Sequence, residues 1–140
     1  PKYVNTPETA LFHKGRLVYA LDRAVEGVRR SAHLVLVEGY TDVLALHQAG
    51  WSQTVATCGT SFTKEQAATL RRYADTVVLL FDGDTAGRKA AFKSADIALA
   101  AGLDVRIVRL PKGRDPADML LDGEGSALST GIENALAHSR

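Results

Sequence analysis

Two apolar runs in the middle of the chain end in acids. Val77-Val78-Leu79-Leu80-Phe81 leads into Asp82-Gly83-Asp84, and Leu34-Val35-Leu36-Val37 leads into Glu38. Neither run alternates with polar residues, so each reads as a strand covered on both faces, the pattern of parallel sheets. Shorter stretches, Thr54 to Thr57 and Val105 to Leu110, read as two more strands. Between the strands the apolar period becomes helical. Val43, Leu44, Leu46 and His47 fall on or near one face of a predicted helix from Thr41 to Ala49, which Gly50 stops. Thr63-x-x-Gln66 is a capping box that opens a helix to Tyr73. An alanine-rich helix runs from Thr85 to Ala101 and ends at Gly102. The loop Pro111-Lys112-Gly113-Arg114-Asp115-Pro116 leads to a short helix through Leu121. At the flanks, Pro1 to Lys14 is turn-rich, Gly15 to Arg30 has a roughly helical period, and Asp122 to Gly131 reads as a polar, Gly-rich linker before a weak terminal helix.

Strands that alternate with helices predict an α/β fold, a roughly four-stranded parallel sheet flanked by helices with right-handed crossovers. Ligands of such sheets bind in the crevice beyond the carboxyl ends of the strands. Glu38, Asp82 and Asp84 would then stand along one edge of the sheet.

Composition narrows the choice of partner without deciding it. The 140 residues are 46% hydrophobic and 24% charged, ordinary for a globular domain, and carry a net charge of +1. A polyanion would have to be met by a local basic patch and metal ions. A single cysteine, Cys58, excludes an intrachain disulfide and a cysteine zinc site, and fits a reducing cytoplasm. No run is long enough to span a bilayer and no signal peptide is evident. The chain opens on Pro1 rather than methionine, so a piece of a longer protein is expected.

Clustered carboxylates in a low-dielectric crevice repel one another, and a divalent cation resolves the conflict. Magnesium takes one or two carboxylates and fills its octahedron with water and phosphate oxygens. Each acid also has a plain structural role open to it. Asp84 suits the N-cap of the next helix, and Asp115, before Pro116, suits another. Asp42 lies one turn beyond Glu38, where it can join the cluster or cap its own helix. Gly83 permits a tight bend between the two aspartates, and Gly39 a close backbone approach at Glu38. Gly59-Thr60-Ser61, before the capped helix, can hold an anion or simply turn the chain. Arg88 and Lys89 face either a phosphate or solvent. His13 and His47 lack metal-ligand spacing, and Tyr40 and Trp51 are as readily core as base-stacking residues.

Three stretches together resemble one family. Glu38-Gly39-Tyr40-Thr41-Asp42 is similar to the first motif of the TOPRIM domain. Asp82-Gly83-Asp84-Thr85-Ala86-Gly87-Arg88 is similar to its D-x-D motif in the form found in bacterial replicative primases of the DnaG type. Lys2-Tyr3-Val4-Asn5-Thr6-Pro7-Glu8-Thr9 and Leu11-Phe12-His13-Lys14-Gly15 resemble the primase block that precedes TOPRIM.

The resemblance implies a Rossmann-like TOPRIM fold and a division of the chain. Residues 1–31 would end the N-terminal polymerase subdomain, 32–121 would be the TOPRIM domain, and 122–140 a linker and the start of a helical region. It implies a DNA-directed RNA polymerase that makes short RNA primers on single-stranded DNA by two-metal nucleotidyl transfer. Glu38, Asp82 and Asp84 would be catalytic, and with Asp115 would hold Mg2+, for which Mn2+ can substitute. Glu38 would act as ligand or as general base. Lys2, Asn5 and Lys14 would meet the nucleotide or template. Implied partners are the single-stranded DNA template, ribonucleoside triphosphates, the RNA primer–DNA hybrid, and a replicative helicase reached through regions outside this chain. The implied location is the cytoplasm at the replication fork. Many primases carry a second acid directly after the proline of the D-P motif; Ala117 stands there and Asp118 comes one later, which leaves the role of Asp118 open.

Two rivals share part of the pattern. Other TOPRIM proteins are topoisomerases, nucleases or recombination mediators, and they lack the upstream block. Haloacid-dehalogenase-like phosphatases also end a strand in D-x-D, but want Thr or Val where Ala86 stands and have no equivalent of Glu38. The chain is shorter than a primase core, so the isolated fragment is expected to bind metal and make little or no RNA.

Overall fold

The structure is a computed structural model that describes residues 33–57 and 61–137. Lys2, Asn5, Lys14, Cys58 and the helix expected over Gly15 to Arg30 lie outside the described residues. The sheet has four strands: β1 (His33–Val37), β2 (Thr54–Ala56), β3 (Thr76–Phe81) and β4 (Asp104–Arg109). All pairings are parallel, in the order β2-β1-β3-β4. The all-parallel α/β expectation therefore holds. Among the described residues there are five helices: α1 (Tyr40–Gln48), α2 (Lys64–Arg71), α3 (Thr85–Ala100), α4 (Pro116–Leu121) and α5 (Gly125–Ala137).

The alternation of inward directions along each strand builds two cores. Leu34, Leu36, Val77, Leu79 and Phe81 pack with α2 and α3 on one face. Val35, Val37, Val78 and Leu80 pack with α1, α4 and α5 on the other. β1 and β3 are central and buried along their length, as their unbroken apolar runs required. β4 is an edge strand, and none of its residues is fully buried.

The chain first moves outward from β1 to β2 under α1, then returns past β1 to β3 under α2. Opposite directions with one crossover hand put these helices on opposite faces. β1 and β3 thus flank the topological switch point, where an open parallel sheet leaves a crevice. Glu38 and Asp82 are the residues that follow those two strands.

One element departs from the sequence reading. The stretch Asp122 to Gly131, read as a linker, is helical from Gly125 onward. Its glycines argued against a helix. Packing outweighs that preference, because Leu128 and Ile132 are buried in the second core. Arg106 on β4 also donates to the carbonyl of Ala135 at 3.2 Å, fastening the helix to the sheet. Among the described residues no helix is long and apolar enough to cross a membrane.

Candidate active site

The carboxyl end of β3 carries Asp82 directly against Glu38. The Asp82 backbone N–H donates to Glu38 Oε1 at 3.1 Å, across 44 residues of sequence. The two carboxyl groups also meet through a side-chain hydrogen bond. Burial first, then the charge of Glu38 and this side-chain hydrogen bond, push the Asp82 pKa up to about 7 from an ordinary 3.8. Asp42 and Asp115 add their negative charges to the same group. Four acids from four loops and helix starts therefore share one field.

Asp42 does more than its sequence position indicated. It lies in the first turn of α1 but is buried. Its Oδ1 accepts the backbone N–H of Ala117 at 3.0 Å, from the first turn of α4, 75 residues away. The Gly39 amide also favours its charged form, although the N-cap of α1 is Gly39 itself, with no side-chain cap. Burial leads the causes that raise its pKa to about 6, with Asp115 and Glu38 contributing charge.

Asp84 and Asp115 both take the capping roles open to them. Asp84 Oδ1 accepts from the Gly87 N–H at 2.7 Å and is the N-cap of α3. Asp115 Oδ1 accepts from the Asp118 N–H at 2.8 Å and is the N-cap of α4, with Pro116 at its first position. Capped in this way, Asp115 still adds its charge at Asp42 and Asp82, so Glu38, Asp42, Asp82 and Asp115 form a crest of acids. Asp118 itself is exposed.

Gly83 owes its place to crowding rather than to a turn of unusual hand. A Cβ there would collide with the carbonyl oxygens of Pro111 and Leu110. Gly83 N–H donates to the Arg114 carbonyl at 3.0 Å, so the loop after β4 lies tight against the acidic pair. Gly87 is packed in the same way against the Asp82 backbone. Gly39 has ordinary room around it, and close approach of the protein's own chain does not explain that glycine. Arg114 anchors the loop from the other side, with its guanidinium 2.6 Å from Asp122 and 2.9 Å from Glu124.

As the side chains stand, no three His, Cys, Asp or Glu residues among those described surround a single ion position. The chemistry of the donor set nevertheless fits a hard divalent cation. The groups are all carboxylates, and Asp82 holds a proton that a cation would displace. A cleft of about 290 Å³ opens from Glu38 toward Thr57, Ser61 and Lys93, on the α2–α3 face. His47 packs as expected, its Nε2 2.9 Å from the carbonyl of Thr54. Trp51 packs on the second core, and Tyr40 is partly exposed. The Asp42–Ala117 bond escaped the sequence reading, because only the fold brings those residues together.

Comparison with known proteins agrees with this architecture. The Toprim-like family matches residues 35–120. The DNA primase of Deinococcus radiodurans is 49% identical over 138 residues, which is 98% of this chain and 24% of that protein. The zinc-binding and RNA polymerase domains of the Aquifex aeolicus primase superpose with a TM-score of 0.85 at 37% identity, over 96% of this chain and 34% of that one. A DnaG primase catalytic domain bound to ssDNA superposes with a TM-score of 0.79 at 40% identity, over 96% of this chain and 44% of that one. The chain thus spans about a quarter of the length of the Deinococcus relative. None of these matches favours the phosphatase reading or the other TOPRIM classes.

Proposed function

The chain belongs to the Toprim-like family, in the form carried by bacterial DnaG-type primases, and from that premise we propose that it is the metal-binding catalytic part of a primer-making RNA polymerase. The observation that carries this reading is the meeting of Glu38 and Asp82 at the switch point of the sheet, with Asp82 holding a proton up to about pH 7. A crest of acids with no lysine or arginine of the described residues bonded to it suits a site that receives Mg2+ or Mn2+ together with nucleotide phosphates.

In this reading Glu38, Asp82 and Asp84 hold the metal, and Asp115 supports it. Bound there, the ion would activate the attacking 3′-hydroxyl and neutralise charge on the α-phosphate and the departing pyrophosphate. The residues do the positioning. Glu38 fixes the Asp82 backbone by accepting its amide N–H. Asp84 and Asp115 cap α3 and α4, which ties each acid to the start of its helix. Lys2, Asn5 and Lys14 are proposed to meet the nucleotide or the template, by resemblance alone.

The partners that follow are a single-stranded DNA template, ribonucleoside triphosphates, the primer–template hybrid, and a replicative helicase bound elsewhere in the longer protein. Residues 32–121 would form the TOPRIM unit, acting in the cytoplasm at the replication fork. The isolated chain is proposed to bind metal and to make little or no RNA. Manganese titration of the chain and of Asp82→Ala, Asp84→Ala and Glu38→Ala tests the assignment. Weaker binding in each, with an unchanged circular dichroism spectrum, supports it. Parental affinity in all three variants refutes it.

A further inference from the structure

A second cleft, of about 340 Å³, begins at Asp82 and Asp84 and runs along the edge strand β4, on the side away from Glu38. Three cations line it from three separate elements: Arg88 on α3, Arg109 at the end of β4, and Lys112 in the loop beyond. Among the described residues, no acid or carbonyl engages any of these three side chains. Elsewhere the fold pairs its arginines readily: Arg71 with Asp75, Arg106 with Asp104, and Arg114 with Asp122 and Glu124. The cleft also has an apolar wall. Phe92 is 58% exposed and Ile107 38% exposed, which is high for residues of this size beside a cleft.

Cations beside an exposed aromatic ring are the two components of a single-strand nucleic-acid site. Ile107 and Arg109 lie two residues apart on β4, so they point to the same face of the strand. That face is the one covered by α3, because Val105 in the same series packs into the α2–α3 core. Arg88 and Phe92 are one turn apart on α3 and therefore share a side of that helix. The geometry points to this cleft as the seat of one nucleotide of a single strand, with its base against Phe92 and its flanking phosphates on Arg88, Arg109 and Lys112. The volume admits about one nucleotide, and the position at a sheet edge lets a chain enter and leave. A free triphosphate is the poorer fit, because Phe92, Ile107, Val108 and Leu110 give the cleft an apolar wall. This inference deepens the proposed function, and rests on it for calling the strand primer or template.

The test is fluorescence anisotropy of a labelled 12-mer of single-stranded DNA or RNA with the full chain, across a salt series. Arg88→Ala, Arg109→Ala and Lys112→Ala should each weaken binding by roughly three- to tenfold, and each should lower the salt slope by about one. Phe92→Ala should weaken binding about as much and leave the salt slope unchanged. Manganese affinity, measured on the same samples, should match the parent in all four. Four variants that bind the strand like the parent would overturn the inference, as would a parent chain that binds no strand at low salt. Variants that keep the strand and lose only a Mg–nucleoside triphosphate would also overturn it, by making the cleft a nucleotide pocket. The failure of the metal reading is distinct: it appears as no manganese binding by the parent, with strand binding still sensitive to these substitutions.

Discussion

Acids are clustered at two places at the carboxyl edge of this sheet, and the chain treats them in opposite ways. Around Arg114, one guanidinium meets Asp122 and Glu124 at 2.6 and 2.9 Å and also donates to the carbonyl of Asp118. At the crest, Glu38, Asp42, Asp82 and Asp115 face one another with no lysine or arginine of the described residues bonded to them. The neutralised cluster is the more exposed of the two, where charge compensation contributes least. The uncompensated cluster is partly buried, where repulsion costs most. Among the described residues, arginines neutralise the exposed acids and none is bonded to the buried ones, which suits a cluster that takes a divalent cation.

The sharpest way to break the contrast is to remove one charge from the crest. Asp82→Asn keeps the shape and deletes the repulsion, so it should lower Mn2+ affinity by about tenfold or more in a calorimetric titration. The same variant should be more resistant to urea than the parent at pH 8 without metal. Filling the crowded seat beneath the crest comes next. Gly83→Ala should cost about 1–3 kcal/mol in urea unfolding, because the new methyl meets the Pro111 and Leu110 carbonyls.

Titration sharpens the contrast further. The folded Asp82 carboxyl holds its proton to about pH 7, against 3.8 when unexposed to its neighbours. Its contribution to metal-free stability is therefore complete below about pH 4 and is lost as pH rises through 7. Metal affinity should run the other way, rising from pH 6 to pH 8 as the proton leaves. A manganese titration at several pH values checks the second trend, and thermal melts of parent and Asp82→Asn check the first. Asp42 divides charge from geometry. Asp42→Asn keeps an oxygen for the Ala117 amide and should be close to neutral, whereas Asp42→Ala should cost about 0.5–2 kcal/mol, as loss of a cap does. The smallest effect belongs to the neutralised corner: Arg114→Ala should cost under about 1 kcal/mol.

Local signals were the ones that could be read along the chain. The unbroken runs before Glu38 and Asp82 are buried on both faces in the structure, and Thr63 with Gln66 forms both bonds of its capping box. What could not be read depends on residues far apart in sequence. Gly125 and Gly131 disguise α5, whose helix is held by Leu128 and Ile132 against a sheet that a local window does not contain. Gly83 looked like a bend, and its real neighbour is the loop after β4. Arg88 stood out beside the acidic pair, but Arg109 and Lys112 join it only through the pairing of β3 with β4.

The hydrogen bond from Ala117 to Asp42 also has a meaning for the order in which the molecule is made. It closes a loop of 75 residues, so the crest cannot be complete until the chain has been synthesised past Ala117 and α4 has docked. Any partly folded or shortened form would present Glu38 without its full set of neighbours. Divalent-cation affinity is then a gauge of native assembly as well as of chemistry, and the ion, when it binds, rewards only the finished chain.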